Sequence, residues 1–436
     1  MSDVKQNDTL VYSARTDVGM RRSNNQDSYI VIPAATPEEC RRRGRLFMVA
    51  DGMGAHAGGE VASRMAVDLV SKHYLENTTD PIPDALRAAI LYAHEMIKGR
   101  GDADQALNGM GTTCDALAIT ENKAYIGHVG DSRVYRLRDH VLEQVSFDHS
   151  LVWEIKYDPN SRFGHDLQHV PKNVITRSLG PSDNLEVALE GPFELKPGDV
   201  YMMCSDGLSG QLLDSEIAQI LELFPPDQAT ESLVNLAILR GGPDNITTIV
   251  VRVKDVPQVE EEQPAPKPKK ERAPMSASAL MTLVAGLVFA ALFVVALLVG
   301  GTDANAKILC GASAVVAVGS IAAFFVLIRK TTSGSDEIVE EKKLGNAPYV
   351  RASAAIEPAF EECVRAYCND LCEYMRANPE AYKPDWDGAN GSLGVNGALK
   401  QAEQAIADRK FALALRAHVS VINYFMREVR KYADRA

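Results

Sequence analysis

Residues 46–52 read Leu-Phe-Met-Val-Ala-Asp-Gly, five apolar residues and then a carboxylate beside a glycine. The pattern returns along the chain. The run 124–129 stops at Gly130-Asp131, and 200–204 stops at Ser205-Asp206-Gly207. Two more aspartates stand in front of such runs: Asp27 before 28–32, and Asp244, in Gly241-Gly242-Pro243-Asp244-Asn245, before 246–253. Runs this short, rich in β-branched and aromatic residues, are expected to be strands. An aspartate at a strand mouth is fixed by the sheet yet open to solvent, and glycine beside it leaves the backbone carbonyl approachable. Taken singly, each Asp-Gly step is an ordinary turn. If the five converge, they repel one another and need positive charge among them.

Further strands are expected at 116–120 and 134–137. Helices are expected at 60–74, with Val61, Met65 and Leu69 on one face, and at 84–98, with Leu86, Ile90 and Ile97 together. Similar patterns cover 215–223 and 230–240. Gly130-Asp131 reads as a turn joining two antiparallel neighbours. Strands and helices come in groups, so the expected class is α+β, sheets covered by helices, and not a doubly wound parallel sheet.

The chain has 436 residues, 46% of them hydrophobic and 24% charged, enough for a sizeable core and more than one domain. A net charge of -12 and the lack of a basic stripe exclude a nucleic-acid partner. Seven scattered cysteines without a CxxC pair fit a reducing compartment. The opening MSDVKQNDTL has no apolar core, so residues 8–255 are expected in the cytoplasm.

Residues 256–275 are a linker dominated by proline and charge. Residues 276–301 and 308–328 carry no charge apart from their flanks, and each is long enough to span a hydrocarbon core of roughly 30 Å. Lys267, Lys269, Lys270 and Arg272 precede the first stretch, Arg329 and Lys330 follow the second, and the loop between holds only Lys307. The positive-inside rule then predicts a two-helix hairpin in the inner (cytoplasmic) membrane, with both soluble parts on the cytoplasmic side. The tail, 347–436, reads as a small all-α region with long helices at 354–377 and 397–432, the latter breaking near Asp408. It is a candidate protein-binding module or a packed cap. Cys363, Cys368 and Cys372 fall at helical spacing without a fourth zinc ligand, as buried structural cysteines do.

No set of histidines or cysteines accompanies the aspartates, and oxygen ligands alone suit Mg²⁺ or Mn²⁺. Two such ions would make a binuclear hydrolytic site. Arg22, five residues before Asp27, offers a planar fork for a phosphate dianion.

The strings Asp17–Asp27 (DVGMRRSNNQD), 49–63 (VADGMGAHAGGEVAS), 109–114 (GMGTTC), 127–137 (GHVGDSRVYRL), 148–152 (DHSLV), 173–180 (NVITRSLG), 204–210 (CSDGLSG) and 241–251 (GGPDNITTIVV) resemble, in content and order, the bacterial branch of the metal-dependent, type 2C protein phosphatase family. The resemblance covers nearly all of residues 10–254. It implies an α-β-β-α sandwich and hydrolysis of phosphoserine and phosphothreonine by direct attack of metal-bound water. It also implies two Mn²⁺ or Mg²⁺ ions, with room for a third. On it, Asp51 bridges the metals and Gly52 lends a carbonyl, while Asp206 and Asp244 hold the second ion. Asp27 acts through water, Asp131 and Asp206 hold a weaker third ion, and Arg22 binds phosphate. Thr112, Thr113 and Asn245 buttress the site, and His56 is a candidate general acid. Ala55 stands where the family usually has glycine. Residues 153–172 correspond to a flap beside the cleft. The implied partners are phosphorylated proteins, among them serine/threonine kinases and their substrates. A phosphatase-like scaffold that binds phosphoproteins without catalysis is the alternative, and loss of a metal ligand would mark it. Asp27, Asp51, Asp206 and Asp244 are all present.

Overall fold

The computed structural model describes residues 5–6, 9–54, 58–157, 170–171, 174–256, 343–354 and 395–433, with a few single positions between them. Residues up to 258 and from 343 onward belong to one compact unit; 259–342 form a second, almost wholly outside the described residues. The two expected membrane spans, nearly all of the charged linker, Ala55 and His56, residues 158–169 of the flap, and Cys363, Cys368 and Cys372 with most of the expected helix 354–377 lie outside the described residues, apart from scattered positions in the first span. Among the described residues, no helix is long and apolar enough to cross a membrane.

The strands are β1 (Lys5–Gln6), β2 (Leu10–Asp17), β3 (Asp27–Ile32), β4 (Arg45–Met53), β5 (Gly111–Thr112), β6 (Cys114–Ile119), β7 (Lys123–Val129), β8 (Arg133–Arg138), β9 (Val141–Gln144), β10 (Ala188–Glu194), β11 (Val200–Cys204), β12 (Ile246–Val253) and β13 (Val350–Ser353). One sheet runs β1-β2-β12-β11-β8-β9-β13, and the other runs β10-β7-β6-β4-β3 with β5 on β4. All the pairings are antiparallel. The helices are α1 (Pro37–Arg42), α2 (Gly58–Glu76), α3 (Ile82–Ala103), α4 (Leu151–Tyr157), α5 (Asp206–Ser209), α6 (Asp214–Leu223), α7 (Pro226–Leu239), α8 (Val395–Ala407) and α9 (Phe411–Ala433).

The sheets stack face to face. Phe47, Val49, Leu117, Tyr201, Met203 and Ile249 fill the layer between them. Their strand neighbours point the other way: Leu46, Met48 and Ala116 pack under α2 and α3, and Val200, Met202 and Cys204 pack under α6 and α7. Both faces of the central strands are therefore buried, which is why they read as unbroken apolar runs in the sequence. Cys40, Cys114 and Cys204 are buried and free.

Two expectations need correction. Gly130-Asp131 does not join antiparallel neighbours: β7 lies in one sheet and β8 in the other, and the step crosses between them. Gly130 has φ +115, and a Cβ there would stand 2.5 Å from the Thr113 side chain, so only glycine fits the crossing. The C-terminal region is not all-α either. Val350–Ser353 forms β13, which extends the first of the two sheets by pairing with Val141–Gln144 of β9. The break near Asp408 does occur, between α8 and α9, with Arg409 in the left-handed region at φ 56.

The tail also adds a layer. A helix lying on a sheet ordinarily buries one stripe, yet α7 is buried on nearly every side. Its inner face meets β2 and β12. Its outer face meets α9, where Leu415, Val419, Ile422 and Met426 join the same core. Polar groups on that face are paired across the junction. Asn423 donates to Ser232 Oγ at 3.0 Å and accepts from Asn235 at 2.8 Å. Arg427 grips Glu231 through two bonds of 2.7 and 2.8 Å. Replacing Asn423 by Ala leaves Asn235 with a buried amide and no side-chain acceptor on α9. We expect a loss of about 1–3 kcal/mol, read as a lower melting temperature, with Leu415→Ala costing about 2–5 kcal/mol.

Candidate metal centre

Asp27 opens β3 and faces Asp51 directly across the strand pair. At that point β4 leaves its pairing with β6, which ends at Val49, and takes up β5 at Gly52. In the other sheet Asp206 follows β11 and Asp244 precedes β12, so the antiparallel pair puts both at one end. The crossing at Gly130 delivers Asp131. Ser205 joins the two sheets by donating its hydroxyl to Asp27 Oδ2 at 2.8 Å and accepting from the Thr247 amide at 3.0 Å.

The supporting bonds converge on the backbone of Asp51. Its amide donates to Thr113 Oγ1 at 2.8 Å, and its carbonyl accepts from Thr112 Oγ1 at 2.8 Å and from the Thr113 amide at 2.9 Å. Gly52 sits in a space no side chain could enter, since a Cβ would come within 2.1 Å of the Gly59 carbonyl oxygen. Asn245 ties the loop of Arg22 to that of Asp244: its amide group donates to the carbonyls of Val18 and Asn24, and its oxygen accepts from the Gln26 amide.

The charges then press on one another. Asp51 is raised well above the usual carboxylate range, first by burial and then by Asp27, Asp206, Asp131 and Asp244. Asp27 is pushed up to about 7 by burial, with Asp206 and Asp244 adding to it. Asp131 is pushed up to about 7 by burial and by Asp206 and Asp148. Asp206 is raised by burial and by Asp244, and lies in hydrogen-bonding reach of Asp51. Arg22 answers part of this, donating to Asp244 Oδ2 at 2.7 Å.

These residues suit hard cations. Asp27 Oδ1 and Asp131 Oδ1 are buried without a hydrogen-bond partner, a situation that costs about 1–3 kcal/mol unless something positive meets the oxygen. Among the described residues no three such side chains form a ready-made cage, because Asp244 is turned onto Arg22 and Asp27 Oδ2 onto Ser205. Beside the cluster opens a cleft of about 500 Å³ lined by Arg22, Asp131, Asp206 and Asp244, and on its far wall by Arg133 and Trp153. Arg133 is clamped on Asp148 through Nε and Nη2, at 2.9 and 2.7 Å to Oδ2, with its guanidinium 5.4 Å from the Trp153 ring.

The Protein phosphatase 2C family pattern matches residues 21–236. Protein phosphatase PhpP of Streptococcus pneumoniae is 36% identical over 248 residues, which is 56% of this chain and 97% of that protein. The chain belongs to the protein phosphatase 2C family. Serine/threonine protein phosphatase PstP of Mycobacterium tuberculosis is 34% identical over 246 residues, 56% of this chain and 45% of its own length. The solved serine/threonine phosphatase of S. agalactiae is 34% identical, with a TM-score of 0.50 over 56% of this chain and all of that one. Residues 343–436 lie beyond the 2C family match.

The structure thus brings together Arg22, Asp27, Asp51, Gly52, Asp131, Asp206 and Asp244. Reasoning from sequence missed Ser205, Arg133 and Asp148, although all three sit inside the quoted 2C-like strings. Ser205 offered the only available signal, a hydroxyl next to a candidate ligand.

Raised carboxylate values make a stability claim. A fold that holds Asp131 at about 7 binds a proton the unfolded chain has released, so stability falls as pH rises from about 4 toward 7. In EDTA-treated protein we expect Asp131→Asn to melt higher than the parent at pH 8 and level with it near pH 4. Added Mn²⁺ should favour the parent. Equal melting at pH 8 without metal would refute the cost of burying that charge among its neighbours.

Proposed function

We propose that this chain is a protein serine/threonine phosphatase whose clustered carboxylates hold two Mn²⁺ or Mg²⁺ ions. The observation that carries this reading is the convergence of five aspartates from two sheets, with Arg22 on Asp244, three of the five lining one cleft. Asp51 would bridge the ions, and the other four carboxylates all press on it. The Gly52 carbonyl would serve one ion, and Asp206 and Asp244 the other. Asp27 would act through water, and Asp131 with Asp206 would take a third, weaker ion. When bound, the metals lower the pKa of water and offset charge on phosphate oxygens. The protein supplies the rest. Arg22, half exposed at the cleft, presents its fork to the phosphate dianion. Arg133 and Trp153 wall the same cleft, where the peptide beside the phosphorylated residue would lie. His56 remains a candidate general acid.

The membrane reading is also ours. Residues 276–301 and 308–328 would form a hairpin, with the catalytic part and the tail in the cytoplasm, near membrane-bound serine/threonine kinases and their substrates. Two supports stand behind it: the basic flanks, and the packing of α9 on α7, which requires both ends of the intervening segment on the same side. A membrane segment there must cross an even number of times.

The full-length protein should release phosphate from a phosphothreonine peptide only with Mn²⁺ or Mg²⁺. Asp206→Asn should lower kcat/KM by about 100-fold, equivalent to ~3 kcal/mol of transition-state stabilisation. Metal-independent turnover, or an unchanged rate in that variant, would sink the assignment. A reporter inserted at Asp303 should lie outside the cytoplasm, and one at residue 430 inside; a tail reporter found outside would overturn the hairpin.

A further inference from the structure

A strap of chain, 343–349, lies across the edges of both sheets before it enters β13. On one side Leu344 donates its amide to Gly191 O at 2.6 Å, and the Ala347 amide donates to Glu190 Oε2 at 3.1 Å, both on β10. On the other side the Tyr349 amide donates to Gln144 O of β9 at 2.9 Å. Tyr349 also donates its hydroxyl to Glu190, so its ring is held from both sheets at once.

That ring is the first of a series leading to the cleft. Tyr349 meets Phe147 edge-on, with centroids 5.2 Å apart. Phe147 meets two rings of α4, Trp153 at 5.4 Å and Tyr157 at 5.6 Å. Trp153 faces the Arg133 guanidinium at 5.4 Å. Trp153 and Arg133 both line the cleft, with Val152 and Ser150 of the same segment. Phe147 adjoins Asp148, the carboxylate that clamps Arg133. The strap therefore reaches the far wall of the cleft through a single ring, without touching any carboxylate of the candidate metal centre.

We propose that Tyr349 is a positioning residue for substrate: through Phe147 it sets α4 and Trp153, and so fixes the part of the cleft that receives the peptide flanking the phosphorylated residue. The proposal rests on the phosphatase reading above and assigns the strap a role outside the family match, which ends at residue 236. The metal-proximal end of the cleft, where a bare phosphate ester binds, is independent of it.

Three variants of the full-length chain test this. Tyr349→Ala removes the ring. Gly345→Ala unseats the strap from further away, because Gly345 has φ +63 and a Cβ there would lie 2.0 Å from Glu190 Oε2. Tyr349→Phe keeps the ring and loses only the hydroxyl. For a phosphothreonine peptide, KM should rise roughly fivefold in Tyr349→Ala and Gly345→Ala, the size expected for one lost aromatic contact. Tyr349→Phe should stay near the parent. For p-nitrophenyl phosphate, kcat/KM should hold within about twofold in all three, as uniform loss of binding is read from KM alone. With Trp386→Phe in the background, Trp153 becomes the sole tryptophan of the two in the chain, and its emission should shift to longer wavelength in Tyr349→Ala. Unchanged peptide KM, unchanged emission, or a parallel fall on both substrates would each overturn the proposal. Turnover of p-nitrophenyl phosphate by the parent protein reports separately on the phosphatase reading.

Discussion

Asp51 is surrounded by four other carboxylates, and nothing in an isolated strand would hold it there. What holds it is the burial of both faces of β4, with Leu46 and Met48 turned toward the helices and Phe47 and Val49 toward the opposing sheet. Each such side chain is worth about 1.5–3 kcal/mol when taken out of water. Several of them per strand outweigh the mutual repulsion of charges at the strand's end. The rest of the molecule follows from the same constraint: two stiff sheets, one shared edge, and bonds from Thr112 and Thr113 that fix the Asp51 backbone without engaging its carboxylate.

Much of this was legible in the sequence because burial on both faces writes itself as a continuous apolar run. Strands at 46–50, 116–120, 200–204 and 246–253 appear within a few residues of where they were expected. β2 was less visible, since Ser13 and Arg15, on the face opposite Leu10, Tyr12 and Ala14, interrupt its apolar run; Ser13 is buried against Thr230, a partner 217 positions away. The Gly130-Asp131 step misled for a different reason. Positive φ is needed whether a chain doubles back within a sheet or passes to the next one, and local composition does not distinguish the two.

The candidate ligands were readable from order and spacing, but their supports were not. Ser205, Arg133 and Asp148 matter through contacts made across the sandwich, and a string of letters carries no record of what lies opposite. The tail shows the same limit more strongly. Glu231, Ser232 and Asn235 give α7 a face that reads as solvated, yet all three are buried. Their partners Asn423 and Arg427 stand at the far end of the chain, beyond the family match. β13 was hidden likewise, because four residues with a half-buried pattern become a strand only when β9 offers an edge.

The junction between α7 and α9 has a further meaning in time. Ser232 and Asn423 are 191 positions apart in sequence, and Asp17 and Arg430 are 413 apart. Contacts this distant cannot form until both partners have been made, and their loop-closure entropy must be met before they contribute. A chain made from its N-terminus exposes the outer face of α7 until residues beyond 410 have emerged, so the catalytic unit is synthesised early and sealed last. During that interval a helix face built for burial stands open, the kind of surface on which unfinished chains associate with one another. Residues on both sides of the intervening segment share one compact unit, so the final helix can close that unit only once the whole chain has been made.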